Sequence, residues 1–399
     1  MTRETARDEI LKIDSPNILC ELPTSFGKSK VALDLMEKRC PRTSFGKFNS
    51  PKILIVVPRV VLIENWKQEF AKWHYQDYLT YVEFVTYVSL PKKAGLWTFV
   101  IFDEAHHLSE RCREAINDYF TIDNSILLSA TVSFNLKIAF KELFESLYIY
   151  KVTTKQAIKD EVLPDPKVFL IPLTLDNTNI NCEIVKNPSQ KTELVIPFTQ
   201  RFNYAKVKNR KIIIKCTQKQ YYNDLTSMIE WYKKKTYSEV FKNMFLRKSG
   251  ERLKWLSDQK TIFLKSLLDK LKDQRVLTFC NSILQTEILG KYCINSSNSK
   301  LSSTYLEKFN EGEINHITAC AMLDEGVNLR NCRVGIYGML NSSERMIKQR
   351  LGRLLRHPNP IIIIPFYKNT RDEEIVNKML EDYNQELVST ITDLKDLTL

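Results

Sequence analysis

Short, almost uniformly apolar runs alternate with amphipathic stretches through the first 150 residues of the chain. Two of the amphipathic stretches, residues 29–40 and 60–73, repeat apolar positions at helical spacing. The apolar runs cover residues 17–22, 53–58, 84–90, 97–104 and 124–131. Strands that are apolar on both faces are typical of the interior of a parallel sheet. The pattern therefore predicts an α/β fold in which helices connect parallel strands.

A second alternation of the same kind begins near residue 275. Its apolar runs cover residues 275–281, 316–322, 332–338 and 360–367. We predict two tandem α/β units, residues 1–155 and 156–399, with a linker in the charged, proline-containing segment 160–168. We expect the second unit to end in a short acidic helical tail over residues 370–399.

The stretch between the two alternations fits neither of them. Residues 211–218 predict a strand and residues 221–235 predict a helix. We therefore predict an insertion of about residues 178–260 at the start of the second unit. Aromatic residues are frequent there, but rings at helical spacing, such as Trp231, are more typical of a core than of a base-stacking surface.

The overall composition, with 43% hydrophobic and 27% charged residues, indicates a soluble globular protein. No apolar run reaches the roughly 18 residues typical of a membrane-spanning helix, and the charged N-terminus lacks the apolar core of a signal peptide. We therefore expect a cytoplasmic location without a membrane partner. Nine cysteines without a C-x-x-C pair favour reduced thiols over disulfides or a zinc site.

The positive charge is concentrated in one part of the chain. The formal net charge is +12, and residues 201–254 alone hold 15 Lys or Arg against 4 Asp or Glu. A concentrated positive field attracts polyanions, of which nucleic acid is the usual one. A solvated lysine face kept for solubility is the alternative that charge alone leaves open.

Residues 23–30, PTSFGKSK, lie between a predicted strand and a predicted helix, which is the context of a phosphate-binding loop. In that context backbone N–H groups and the helix dipole favour phosphate. Lys28 would reach the β- and γ-phosphates of ATP, Ser29 would offer its hydroxyl to Mg²⁺, and Gly27 would let the backbone approach phosphate. The predicted nucleotide contacts in the loop are Thr24, Ser25, Phe26, Gly27, Lys28 and Ser29. With a single glycine, the loop by itself leaves an ordinary turn possible.

Asp103 and Glu104 are adjacent carboxylates that follow the apolar run WTFVIF. Nucleotide hydrolysis needs one carboxylate to hold Mg²⁺ and another to polarise the attacking water. We predict the first role for Asp103 and the second for Glu104. Because ligands of parallel sheets bind beyond the carboxyl ends of the strands, the loop and the two acids should meet there.

With these motifs the chain resembles the superfamily-two helicases and translocases, and the resemblance spans nearly its whole length. Residues 103–106, DEAH, and residues 129–131, SAT, match two of the family's motifs in order. Residues 324–328, DEGVN, look like the fifth motif, and residues 349–356, QRLGRLLR, match the sixth closely. The resemblance implies two RecA-like domains and ATP and Mg²⁺ as cofactors. It also implies nucleotide contacts at Gly326 and Asn328, and coupling of hydrolysis to nucleic acid through Ser129 and Thr131.

The sixth motif also has a direct physical interpretation. Arg353 and Arg356 are three residues apart and would share one face of a helix. Two guanidinium groups facing the γ-phosphate would stabilise the charge that develops during transfer. By analogy, Gln349 would position the water. Because these residues belong to the second unit and Lys28 to the first, ATP would bind between the units and drive a motor.

The same resemblance suggests where nucleic acid is held. Arg59 and Thr86 resemble contacts to the nucleic-acid backbone, which carry position rather than sequence information. The basic insertion contains Lys233, Lys234 and Lys235, and we expect it to form an additional surface that binds nucleic acid. Trp66 belongs to the same motif as Arg59, but a core position on a helix is favoured for it.

Within the superfamily, the motifs look most like the branch of phage UvsW-type, restriction-enzyme and XPB-type motors, so DNA is the preferred track. Three residues depart from the common pattern: Cys320 replaces a threonine, Asn328 replaces an aspartate, and Ala6 lies where an adenine-reading glutamine would be. These departures affect base selectivity and one backbone contact rather than hydrolysis.

Two other functions stay open at this point. One is an RNA helicase, and the other is a nucleic-acid-binding protein that keeps the motor fold but has lost catalytic activity (a decayed motor fold). A monomer is favoured. Target selection would depend on a recruiting protein or on the shape of the substrate. The lysine-rich, glycine-poor composition suggests an AT-rich genome such as a phage's, with the infected bacterial cytoplasm as the setting.

Overall fold

The computed structural model of the chain describes residues 1–46, 50–199, 209–295, 299–320, 329, 331–340, 354, 357–381 and 383–399. Two parallel sheets form its framework, one of six strands and one of seven, and a smaller mixed sheet of three strands accompanies the second. The predicted fold class, two tandem RecA-like α/β units with an insertion at the start of the second, is confirmed.

The first sheet has the strand order β3-β2-β4-β5-β1-β6, and every pair in it is parallel. Its strands are β1 (Asn17–Glu21), β2 (Ile53–Val57), β3 (Val82–Thr86), β4 (Gly95–Phe102), β5 (Phe120–Ser129) and β6 (Leu147–Lys151). The helices of this unit are α1 (Arg3–Lys12), α2 (Lys28–Arg39), α3 (Val61–Lys72), α4 (Glu110–Tyr119), α5 (Phe134–Leu143) and α6 (Thr154–Lys159).

The pattern of runs that are apolar on both faces identified most strands of the first unit. Every residue of β1 and β2 is buried, as expected for strands covered by helices on both faces. The bounds predicted for the strand over residues 84–90 were wrong: β3 covers Val82–Thr86, and a turn follows it. The alternation missed β6, whose residues are all at least partly exposed at the edge of the sheet.

The second sheet has the order β12-β13-β11-β14-β15-β7-β16 and is also parallel throughout. Its strands are β7 (Lys167–Leu173), β11 (Val276–Cys280), β12 (Cys293–Ile294), β13 (His316–Cys320), β14 (Val334–Tyr337), β15 (Ile361–Tyr367) and β16 (Val388–Thr390). The helices around it are α9 (Thr261–Lys270), α10 (Ile283–Leu289), α11 (Ser299–Glu311) and α12 (Arg371–Leu380).

Two sequence predictions for this unit need correction. The segment 160–168 is not entirely a linker, because β7 begins at Lys167 and pairs with β15 along its whole length. The tail after residue 370 is α-helical only to Leu380, and beyond it β16, between two short 3-10 turns, adds to the edge of the sheet beside β7. The domain boundary near residue 155 stays a prediction.

Between β7 and α9 the chain leaves the parallel sheet. Strands β8 (Cys182–Lys186), β9 (Glu193–Pro197) and β10 (Lys211–Cys216) form the small mixed sheet, and a pair of helices follows, α7 (Gln218–Lys233) and α8 (Glu239–Gln259). The base of this pair is fixed to the second unit by a fully buried ion pair, Lys260 Nζ to Asp372 Oδ2 at 2.7 Å. The N–H of Arg371 also donates to the Tyr222 hydroxyl at 2.7 Å.

One residue inside the sixth motif is described, and it is buried. Leu354 is packed so closely against Gly335 of β14 that a Cβ at Gly335 would lie 2.1 Å from the Leu354 Cδ1 atom. Only glycine leaves room for this contact. The contact fixes Leu354 against the second sheet.

In the described part of the chain, no helix combines the length and apolar character needed to cross a membrane.

Candidate nucleotide site

The loop before α2 has the backbone of a phosphate cradle. It follows the fully buried strand β1, and Gly27 takes a left-handed conformation with φ of 105° directly before Lys28. Apart from its own chain neighbours, no heavy atom of the described residues lies within 4 Å of the position that a Cβ at Gly27 would occupy. Gly27 has no side chain that could cap α2, so no side-chain hydrogen bond satisfies the N–H groups of the first turn at this position.

Two neighbouring residues of the loop support the same interpretation. Ser25 has φ of 68°, an uncommon conformation for a residue other than glycine, and such strain is found where ligands are clamped. Thr24 Oγ1 is buried and has no hydrogen-bond partner within the described residues. Phe26 is buried in the core and fixes the loop to the body of the unit.

Asp103 is held from three sides at the end of β4. Its N–H donates to Val56 O at 2.9 Å, and its carbonyl oxygen accepts from the Tyr87 hydroxyl at 2.8 Å. Its carboxylate Oδ2 accepts from Trp66 Nε1 at 3.0 Å. Burial raises the pKa of Asp103 to about 6, with the neighbouring charge of Glu104 adding to the shift. A carboxylate in this environment is stabilised by a cation.

Glu104 points toward the phosphate loop. Its backbone is left-handed, with φ of 48°, which turns the side chain out of the strand direction. Oε1 lies 3.4 Å from Lys28 Nζ, and Oε2 lies 3.4 Å from His106 Nδ1. Oε2 is buried and accepts no hydrogen bond from any described residue. The structure thus brings the lysine of the loop and the acidic pair together at the carboxyl edge of the first sheet.

Ser129, at the end of β5, connects this site to the segment that follows. Its hydroxyl donates to Thr131 O at 2.9 Å, and its oxygen lies 3.0 Å from His106 Nδ1. Since the single hydroxyl proton goes to Thr131, the His106 ring nitrogen donates to Ser129. A chain of contacts therefore runs from Glu104 through His106 and Ser129 to Thr131.

The coupling role that the family resemblance implies for Ser129 predicts that Ser129→Ala leaves basal ATP turnover within a few-fold of the wild type, while nucleic-acid stimulation falls about five-fold or more. The variant removes both contacts of the hydroxyl and leaves Lys28, Asp103 and Glu104 in place. Steady-state ATPase rates with and without oligonucleotide measure this.

The matched control is Ser125→Ala. This serine is buried in the same strand and donates to Asn17 Oδ1 at 2.7 Å, away from His106. Each variant should lose about 1 kcal/mol of stability. Equal losses of stimulation in both would contradict the coupling role.

A contact that the sequence did not reveal also reaches the segment after β5. Glu21 ends the apolar strand β1, and its buried carboxylate accepts from the Val132 N–H at 3.0 Å and pairs with Lys137 Nζ at 2.5 Å. Together with residues 151–154, these groups line a cavity of about 190 Å³. The sequence signal for this contact was Glu21 itself, an acid at the end of a mostly apolar strand.

The predicted backbone contacts lie at the same edge of the sheet. Arg59 is exposed directly after β2, and Thr86 ends the adjacent strand β3, where it is in register with Val57. The N–H of Tyr87 continues the pairing with Val57 O at 3.2 Å. Trp66 is buried, as expected for a core aromatic, but it is also the donor to Asp103.

The basic insertion presents its three consecutive lysines where α7 ends. Lys233 and Lys234 are exposed, and Lys235 Nζ lies 3.7 Å from the centre of the Trp231 ring. The other predicted site residues, Gly326, Asn328, Gln349, Arg353 and Arg356, lie outside the described residues.

Comparisons with known proteins agree with this architecture. Residues 259–358 match the family model described as the helicase conserved C-terminal domain. The DNA 3'-5' translocase XPB2 of Sulfurisphaera tokodaii is 22% identical over 384 residues, which cover 91% of this chain and 78% of that protein.

Solved structures share the fold at low identity. A variant of Saccharomyces cerevisiae Dbp5 bound to RNA and ADP BeF3 has a TM-score of 0.60 and 11% identity, covering 98% of this chain and 89% of its own. A fragment of a putative HsdR subunit of a type I restriction enzyme from Vibrio vulnificus has a TM-score of 0.57 and 14% identity, covering 98% and 68%. The helicase domain of Pyrococcus furiosus Hef has a TM-score of 0.51 and 13% identity, covering 94% and 97%.

Proposed function

We propose that this chain, a superfamily-two helicase or translocase, is a nucleic-acid-stimulated ATPase that moves along or remodels DNA. The observation that carries the proposal is the contact of Lys28 with Glu104, the neighbour of Asp103 in the chain, beside a helix N-terminus that no side chain caps. A chance occurrence of G-K-S would not be expected to place its lysine against a largely buried acid at a strand end.

The residues present fit magnesium and ATP. Asp103 is a buried carboxylate with a raised pKa, and Thr24 Oγ1 and Glu104 Oε2 are buried polar atoms without a hydrogen bond from described residues. Asp103 and Ser29 would hold Mg²⁺, which usually takes its remaining ligands from phosphate and water. When bound, the ion supplies positive charge that offsets the charge of the phosphates.

The chain's own groups divide the remaining work. The loop N–H groups and Lys28 bind the phosphates, with Lys28 exchanging its contact with Glu104 for one with phosphate oxygens. Glu104 then has an unengaged carboxylate with which to orient a water and accept its proton. We assign Gln349, Arg353 and Arg356 of the second unit to positioning the water and stabilising charge on the phosphates. In this proposal the units comprise residues 1–155 and 156–399.

DNA is the preferred track because the relative that aligns over most of the chain is named a DNA translocase. The test is the ATPase rate with duplex DNA, single-stranded DNA and RNA of equal length. We expect DNA to stimulate turnover more than RNA. Stimulation by RNA alone would favour the RNA helicase, and absence of turnover with every nucleic acid would favour the decayed fold.

We also propose that Lys233, Lys234 and Lys235 grip the nucleic-acid backbone. Changing all three to Gln should reduce duplex affinity and lower the slope of log affinity against log salt by about two to three. Binding measured by fluorescence anisotropy at several salt concentrations gives both quantities.

The control replaces three exposed lysines elsewhere in the second unit, Lys265, Lys272 and Lys378, by Gln. It removes the same net charge from other surfaces. The gripping role is wrong if the two triple variants change the salt slope equally, or if neither changes it.

A further inference from the structure

We propose that the tip of the α7–α8 helix pair binds unpaired nucleobases by stacking them on its exposed aromatic rings. The hairpin tip is defined as residues 231–242. The inference rests on the proposed function and adds to it the chemical class of ligand that this surface takes.

The hairpin tip carries more exposed aromatic surface than packing requires. Trp231 is 49% exposed and Tyr237, in the turn between the helices, is 86% exposed. Phe241 lies edge-on to the Trp231 ring at 5.6 Å between centroids, and Tyr232 lies edge-on at 5.0 Å. Lys235 Nζ lies 3.7 Å from the centre of the indole, over one face of it. About half of the indole is nevertheless open to solvent, so a base would stack on the exposed part of the ring with the lysine beside it.

The hairpin tip lies at the far end of a helix pair whose base is attached to the second unit. The buried residues of α8 are Leu256 and Ser257, in its last turn, although the helix has 21 residues and is therefore about 30 Å long. The buried face of α7 is formed by Tyr222, Leu225 and Ile229. The helix pair thus projects from an anchored base, and the rings at its tip contribute little to the core.

The charge of the hairpin tip matches a polyanion. It contains Lys233, Lys234, Lys235 and Lys242 against one acid, Glu239, whose Oε2 lies 3.3 Å from Lys242 Nζ. Lys233 in the last turn of α7 and Lys234 at its C-cap also stabilise the helix end, which accounts for some of the charge without a ligand. Helix stabilisation does not account for the two exposed rings.

The combination of rings and lysines distinguishes between occupants. A protein partner would use the rings with polar groups of both signs, and a duplex would engage the lysines but offers ring faces only at its ends. Unpaired bases offer a π-face next to each phosphate, so they match both features together. We therefore commit to a single strand as the occupant.

The test is the double variant Trp231→Ala/Tyr237→Ala, with binding to oligo(dT) and to a blunt duplex measured across salt concentrations without ATP. We expect single-strand affinity to fall about ten-fold or more, with an unchanged salt slope and unchanged duplex affinity. The variant Trp231→Phe/Tyr237→Phe should restore most of the affinity, because it keeps the rings. Tyr119→Ala, an exposed ring at the end of α4, is the control and should bind as the wild type does.

Each other outcome overturns the inference. Wild-type affinity in the double alanine variant, equal losses for single strand and duplex, or no rescue by phenylalanine would each exclude base stacking at the hairpin tip. Failure of the proposed function is separately visible, since the wild-type protein would then show no ATP turnover stimulated by nucleic acid, whatever its affinity for oligo(dT).

Discussion

Lys28→Ala should reduce ATP turnover by about 10²-fold or more, to background in an ordinary assay. Within the phosphate loop, residues 23–30, Lys28 is the basic residue whose ammonium group contacts Glu104. Its removal takes away positive charge where negative charge would develop during phosphoryl transfer. It also leaves Glu104 without its described cationic partner. Measurement of phosphate release with saturating DNA gives the rate.

Lys30→Ala is the matched control for this prediction. Lys30 lies two residues further along α2, where its ammonium group pairs with Asp34 at 2.5 Å rather than facing the acidic pair. The control should keep turnover within a few-fold of the wild type. Hydrolysis by Lys28→Ala at the wild-type rate would show that the loop is not the nucleotide site.

Glu104→Gln should lower hydrolysis by about 10²- to 10⁴-fold while ATP still binds. Glutamine has the same shape and can keep an oxygen toward Lys28, so the left-handed turn at this residue is not expected to change. It cannot accept a proton from water. Single-turnover hydrolysis measures the chemical step, and binding of a fluorescent ATP analogue measures the affinity.

Glu110→Gln controls for loss of a negative charge nearby, since Glu110 begins α4 on the exposed surface. It should hydrolyse ATP as the wild type does. If Glu104→Gln lost ATP binding together with hydrolysis, or lost neither, the assignment of Glu104 as the general base would be wrong.

The accuracy of the strand predictions follows the position of each strand in its sheet. Strands such as β2 and β11 are buried at every residue, and they therefore occur in the sequence as nearly continuous apolar runs. Strands at the edges, β6, β12 and β16, are short or partly exposed and carry no such run. Strand β7 was missed for another reason: its first residues follow two prolines that suggested a linker.

The acidic pair, the lysine and the order of the motifs could be predicted from the chain, because they occur as short contiguous strings. Their supporting contacts could not, since they join distant residues. Trp66 and Asp103 are 37 positions apart, and Glu21 and Lys137 are 116 apart. A helical tryptophan and an acid at a strand end have ordinary interpretations until the fold brings their partners near.

The sequence by itself determined the two-unit α/β architecture and the chemical groups of the candidate nucleotide site, because periodicity and contiguous motifs are local properties of a chain. The tertiary structure decided which groups meet: that Lys28 faces Glu104, that Ser129 links His106 to Thr131, and that Trp231 is exposed rather than buried. Helical spacing places a ring on a face of α7, but only the packing of that helix decides whether the face meets a core or solvent.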